Sequence, residues 1–423
     1  MGLAPIVSRN GRRRPSTGTM KPLRIILLMV EPPLPFGNAM GRWLYVLLKG
    51  LVERGHSVAA FATCSKTEEI EQARKLFPSP AYDLRCYAHP VRSGLKAKWE
   101  TLRQPYSYMF SPQLRRDLAI EMQRGFDILH LEQLWSGWLA PAHCQRALLN
   151  VSFLPTLDLA EDHFHSGSWT ARQLALRGER KLLRRFPRVC TLTPRLTEQV
   201  RNFNPRASIQ TVPLGMDLAL YKFEAPVRGK GPAMVTLIGS FDWLPTMAAG
   251  IRILTRLWPA IQSACPEARL QLVGRNARTV LQHIACEKLS GVDIAENVPD
   301  ILPYFRNSDV LLYPADHASG MKVKVMESFA LGVPVVTTSF GAEGLPAKDG
   351  VHAGIAEDDA GLIARTISLL RDPAVREKQC AAARLLIEDF CAPTRVLDLW
   401  EGIYAQVVRA NPCDLTHTPA LVQ

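Results

Sequence analysis

The feature that most constrains this chain is a repeated alternation of apolar strand-like runs with helix-period segments. "LRIILLMV" (Leu23–Val30) is a short apolar run bounded by charge and proline. The loop "EPPLPFGNAMG" follows, then a segment over Arg42–Arg54 with Trp43, Val46, Leu47 and Leu51 on one side. "RGHSVAAFAT" turns at Gly55 and supplies a second strand. Strand, Gly/Pro loop, helix and strand in that order make a βαβ unit, which requires a parallel sheet.

The grammar continues. Strands are expected at "YDLRCYA", "FDILHLE" and "VSFLPTLDL", with helix over most of Arg92–Gly125 and a loop at "RQPYSYMFSP". "VCTLTPRLTEQVRNF" reads as strand then helix, and "IQTVPLGMD" closes the half. The second half repeats the pattern: strands at "AMVTLIGS", "ARLQLVG", "GVDIAENV", "DVLLYPA" and "VPVVTTS" alternate with helical stretches, "KVKVMESFALG" among them. A stretch rich in Gly, Pro and charge, "YKFEAPVRGKGPA", marks the junction near 216–232. The fold class is α/β: two Rossmann-like domains, 21–215 and 216–400, facing across a cleft. Residues 1–20 are expected to be a disordered basic leader, and 401–423 a C-terminal tail.

Charge narrows the partners. The formal net charge of +12 suits an anionic small molecule, a nucleic acid or an acidic membrane surface. The basic residues are dispersed through the α/β pattern without a recognition motif, which argues against nucleic acid. The nine cysteines are odd in number and include no C-x2-C pair. A disulfide framework or zinc site is therefore not expected, and a cytoplasmic setting is. The longest apolar runs fall short of a transmembrane span.

In parallel α/β sheets ligands bind outside the carboxyl ends of the strands, so the loops there are the places to search. "GMKVKVMESFALGVPVV" (Gly320–Val336) is the most informative stretch. It opens a helix after a strand and a small-residue loop. Free N–H groups at such a helix start hold phosphate oxygens, and Lys322 and Lys324 add positive charge. Glu327 can accept hydrogen bonds from two adjacent hydroxyls, such as those of a ribose. Lys324 and Glu327 are also spaced for a plain surface ion pair.

Other loops carry single candidates. In "LIGSFDWLP", Gly239 permits close backbone approach and Ser240 offers a hydroxyl. Arg275 in "LVGRN" is placed to meet phosphate, and Val298 in "AENVPDILPYF" to present backbone atoms to a base. In the first half, Gly37 and Gly41 follow the first strand without matching G-x-G-x-x-G or a P-loop. They can still bring backbone N–H groups to a diphosphate. His130 ends "FDILHLE" and is a candidate base for an acceptor hydroxyl, or else a packed histidine. Asp158, Glu161, Asp162 and His163 form a second candidate cluster.

Together these stretches resemble the GT4-type retaining glycosyltransferases of the GT-B fold, over about residues 22–400. The likeness lies in "LRIILLMVEPPLPFGNAMGRWLYVLLKGLVERGHSVAAFA", in "TVPLGMDLALY", and most in the run from "GSFDWLPTMAAG" to "SFGAEGL". The resemblance implies sugar transfer from a nucleotide diphosphate sugar to an acceptor hydroxyl. The first domain would take the acceptor and the second the nucleotide, with no cofactor and no bound metal. Glu327 matches the second glutamate of the family's E-x7-E motif, which binds ribose; Lys324, with Lys322, matches its diphosphate-binding position. Gly37 or Gly41 matches the glycine loop near the phosphates. Ser319 stands where the first glutamate, a contact of the donor sugar, is expected, and Ala160 where a histidine is, while Asp158 and Glu161 remain. The implied acceptor is a glycan, a lipid-linked sugar or a small molecule, reached at the inner face of an anionic membrane. A non-catalytic relative that binds a nucleotide or a partner protein, and a nucleotide-sugar epimerase, share this architecture.

Overall fold

A computed structural model of the chain describes residues 21–91, 94–141, 144–158, 167–225, 231–284, 290–317 and 319–411. The expected leader lies outside them, as do Glu161 and its neighbours.

The first sheet holds β1 (Arg24–Met29), β2 (Ser57–Cys64), β3 (Asp83–Ala88), β4 (Ile128–Glu132), β5 (Ala147–Val151), β6 (Arg188–Thr191) and β7 (Ser208–Thr211). The second holds β8 (Met234–Ile238), β9 (Arg269–Gly274), β10 (Val292–Glu296), β11 (Val310–Tyr313), β12 (Val335–Thr337) and β13 (Gly354–Ile355). All their pairings are parallel. The orders are β3-β2-β1-β4-β5-β6-β7 and β10-β9-β8-β11-β12-β13. The strand order reverses once in each sheet, between β1 and β4 and between β8 and β11. Those reversals open the crevices where such sheets bind ligands. The alternation in the sequence produces these two Rossmann-like domains because strands such as β1 and β8 are buried along nearly their whole length and need helices on both faces.

Several elements differ from the sequence reading. The first helix runs Ala39–Glu53, starting three residues early because Asn38 caps it, Oδ1 accepting from Met40 N at 3.1 Å. The run "VSFLPTLDL" is not a strand. β5 ends at Val151, and Pro155 opens a helical turn, Pro155–Asp158, since proline cannot donate to a ladder.

The largest difference is at the end of the second domain. In place of a tail from 401, one helix spans Pro393–Ala410 and packs against the first domain. Trp400 and Tyr404 are fully buried there, and Leu397 lies against Gly50, where a Cβ would come within 2.3 Å. Arg54 donates to Asp398 at 2.7 Å and Glu401 at 2.6 Å. The chain therefore crosses between domains twice, and Met216 N donates to Cys391 O at 2.9 Å where the crossings meet. Among the described residues no helix is long and apolar enough to cross a membrane.

Candidate active site

The two domains enclose a cleft of about 980 Å³. Its first-domain wall comes from the loops after β1 to β5, including Glu31, Gly37, Gly41, Gln133, Trp135 and Asp158. The facing wall is the loop after β8, Asp242–Pro245, with Arg275 after β9. Phe153 and Trp243 meet edge to face across it, with ring centroids 5.6 Å apart.

At the first reversal, Glu31 follows β1 and Gln133 follows β4. Burial pushes the Glu31 carboxyl up to about 7, against the side chains of Asn38 and Gln133, which lower it. Its Oε2 is sealed from solvent without a hydrogen-bond partner among the described residues. Gln133 holds φ +65°, a region that non-glycine residues rarely adopt and that occurs most often at functional sites.

At the second reversal, the loop after β11 leads into the helix Val323–Leu331. Lys324 Nζ donates to Thr246 Oγ1 at 2.8 Å and lies 4.0 Å from the centre of the Tyr313 ring. Gly239 makes room for it, since a Cβ there would stand 2.6 Å from that nitrogen. Burial, then the charge of Lys322, brings Lys324 down to about 7. Lys322 Nζ donates to Ser319 O at 3.0 Å and to Gly320 O, and lies 3.8 Å from Glu343 Oε2. Burial brings it down to about 8, with Glu343 and Asp158 opposing. Lys322 is thus buried and Lys324 half-buried, and each loses hydration when charged. Among the described residues no carboxylate pairs with Lys324, so the pair favours an anion.

Glu327 is one turn further along the helix. Its Oε1 accepts from Tyr221 OH at 2.9 Å and pairs with Arg42 of the first domain. Arg42 also donates to Gly37 O at 2.9 Å, tying Glu327 to the glycine loop.

The family "Glycosyl transferase 4-like domain" matches residues 38–215, and the family "Glycosyl transferases group 1" matches residues 233–372. The chain resembles the glycosyltransferases of the GT-B fold. Glycogen synthase of Mycobacterium tuberculosis is 23% identical over 395 residues, which are 87% of this chain and 91% of that protein. Sucrose-phosphate synthase from Thermosynechococcus elongatus superposes with TM-score 0.69 at 17% identity, over 92% of this chain and 100% of that one. HepE of Anabaena, solved in complex with UDP and glucose, gives TM-score 0.64 at 12% identity, over 90% and 100%. At these identities the structural likeness is one of fold.

Within this GT-B frame the residues singled out from the sequence separate. Gly37, Gly41, Asp158 and Arg275 line the cleft, and Arg275 is exposed in it. Gly239, Ser319, Gly320, Lys322, Lys324 and Glu327 gather behind its second-domain wall, around the second reversal. Ser240 is half-buried, its hydroxyl 3.4 Å from Asp242 Oδ2. Val298 is half-buried on the loop after β10 and does not line the cleft.

His130 is a correction. It has no exposed surface; its Nδ1 lies 2.6 Å from Tyr404 OH, its Nε2 3.0 Å from Glu132 Oε1, and its ring packs on Trp400. A ring enclosed in this way cannot reach an acceptor hydroxyl in the cleft. It sits one pleat too deep, two residues before the strand ends. The residues that do reach the cleft from β1 and β4 are Glu31 and Gln133. Sequence reasoning passed over both, although Gln133 comes directly after a buried strand and Glu31 two residues after one.

Proposed function

We propose that this protein is a glycosyltransferase that moves a sugar from a nucleotide diphosphate sugar to an acceptor hydroxyl with retention. The observation that carries this reading is the pair of buried Lys322 and half-buried Lys324 at the second reversal, Lys324 having no carboxylate partner among the described residues. Positive charge held out of water suits a diphosphate, and it gains most as that group departs with its charge. Glu327, hydrogen-bonded by Tyr221, lies one helical turn away, and its carboxylate suits the hydroxyls of a nucleoside attached to that diphosphate. The first-domain wall, with Glu31, Gln133 and Trp135, offers the mixture of carboxyl, amide and ring faces that suits a hydroxyl-rich acceptor. Retention rests on the GT4-type resemblance. The setting consistent with the sequence is the cytoplasm, at the inner face of a membrane that carries a lipid-linked or polymeric glycan.

One observation favours a second reading, a relative that binds nucleotide without turnover: Arg42 and Tyr221 already engage one carboxylate oxygen of Glu327. A screen of UDP-, GDP-, ADP- and TDP-sugars by calorimetry separates the two. Binding of one of them, with release of its nucleotide when a saccharide acceptor is added, supports transfer. Binding without release supports the second reading, and binding of none removes both.

A further inference from the structure

The helix Gly94–Arg103 carries its apolar face on the outside. Leu95, Trp99 and Leu102 follow the four- and three-residue spacing that puts them on one side of a helix, and they are 84%, 60% and 56% exposed. Ala97, Glu100 and Thr101 are half-buried, so the small and polar side is the one turned to the domain. Val91 before the helix and Tyr108 after it are exposed as well. A surface helix ordinarily turns its apolar stripe inward. Exposed apolar residues scattered singly are common on any protein, but a stripe of them marks a surface that something covers.

Charge indicates what covers it. At 3.6 residues per turn, Lys98 flanks the stripe on one side and Arg103 on the other. Both are exposed, and the Arg103 guanidinium lies 5.4 Å from the centre of the Trp99 ring. The stretch "VRSGLKAKWETLR" holds four cations and one carboxylate. Two residues past the helix, Pro105 packs on Gly178 of the helix Gly167–Leu183, where a Cβ would stand 3.0 Å from Pro105 Cγ. Trp138 Nε1 donates to Pro105 O at 2.9 Å and fixes the junction. Around Gly178, exposed Arg177, Arg180, Lys181 and Arg184 line a groove of about 510 Å³. None of these four has a carboxylate partner among the described residues.

We infer that this face of the first domain docks on an anionic lipid surface. Leu95, Trp99 and Leu102 enter the headgroup region, while the flanking cations and the basic groove beside them meet lipid phosphates. Tryptophan and leucine on one face with lysine and arginine alongside characterise helices that lie in the plane of a membrane interface. Docking also places the cleft. Tyr106, three residues past the helix, lines the cleft and stacks on Trp135 with ring centroids 4.5 Å apart. A docked first domain therefore holds its side of the cleft near the headgroups. The inference rests on the membrane setting proposed above and not on the nucleotide assignment.

The test is flotation of the full chain with vesicles of phosphatidylcholine alone and of phosphatidylcholine with phosphatidylglycerol in equal parts. The parent should bind the mixed vesicles at least about tenfold more tightly than the neutral ones, and raised salt should release it. Leu95→Ser with Trp99→Ser should weaken mixed-vesicle binding by about tenfold. Arg177→Gln with Lys181→Gln should weaken it by about threefold or more and flatten its salt dependence. All four positions are exposed, so the melting temperatures should match the parent's. Equal binding of the parent to both vesicle types, or a serine variant that binds as the parent does, would overturn the docking surface alone. An unaltered salt dependence in the glutamine variant would take the groove out of that surface. A parent that binds neither vesicle removes the membrane setting as well. If that parent sediments as a dimer that the serine variant splits, the stripe is a contact between two copies of the chain. None of these results alters the outcome of the nucleotide-sugar screen.

Discussion

Tyr404 OH lies 2.6 Å from His130 Nδ1, joining β4 to a helix 274 residues later in the chain. Glu132 closes the cluster, accepting from Trp43 Nε1 at 3.3 Å and Asn150 Nδ2 at 2.9 Å. The histidine is a fastener between the first sheet and the returning helix. Replacing it with phenylalanine strands a buried hydroxyl, at a cost of about 1–3 kcal/mol. The melting temperature of His130→Phe should fall by several degrees, about 2–4 °C for each kcal/mol. Turnover per folded molecule should stay within about twofold of the parent. An unchanged melt with lost turnover would return His130 to the reaction.

The two lysines give binding a proton signature. Their folded values, about 8 for Lys322 and about 7 for Lys324, lie below the ordinary 10.5. Between those values and 10.5 the unfolded chain holds more protons, so stability should rise with pH across that window. Below about 7 both are charged whether folded or not, and the burial penalty is felt in full. A bound diphosphate reverses the balance and draws protons in. UDP binding near pH 8 should take up protons, seen by calorimetry in two buffers of different ionisation heat. Lys324→Met should weaken UDP by about tenfold and reduce the uptake. Absence of uptake in the parent protein would argue against a phosphate contact.

Arg42 would compete with a ribose for Glu327 at that helix. Breaking a buried pair leaves a charge uncompensated at a cost of about 3–5 kcal/mol. Arg42→Ala should therefore melt early in the absence of nucleotide, and nucleotide should raise its melting temperature more than it raises the parent's. Glu327→Ala should weaken nucleotide-sugar binding by about tenfold. A nucleotide-induced rise in Arg42→Ala no larger than the parent's would place the ribose elsewhere.

Glu31 carries a pH prediction of the opposite sign. Its folded value is raised from 4.5 to about 7, so the folded state holds the extra proton between those values. Stability should fall as pH rises through that window. Glu31→Gln removes the ionisation and should be more stable than the parent at pH 8, by on the order of 1–3 kcal/mol, and equal to it near pH 4. If Glu31 also meets the acceptor, the variant should lose turnover without loss of donor affinity. Equal stability at both pH values would show that Glu31 is better solvated than the cleft geometry implies.

The fold was legible because its cause is local: apolar runs the length of strands, alternating with helix-period segments, leave few arrangements other than parallel sheets. The position of Lys322 and Lys324 at a helix start after a strand was legible for the same reason. Two things were not. Depth along a strand is one: His130 and Gln133 are three residues apart, yet the first is sealed under Trp400 and the second lines the cleft. Contacts distant in sequence are the other. Nothing near Ser319 says that Asp158, 161 residues earlier, will bond to it. Nothing near Tyr404 says that its helix belongs to the first sheet.

The hydrogen bond between Met216 N and Cys391 O ties together the two places where the chain passes between domains. A single linker would let one half swivel in any direction. Two passes fastened side by side behave like the leaf of a door hung on paired pins, resisting twist and sideways slip while permitting a swing about one line. The same fastening favours the register in which Phe153 meets Trp243 across the cleft.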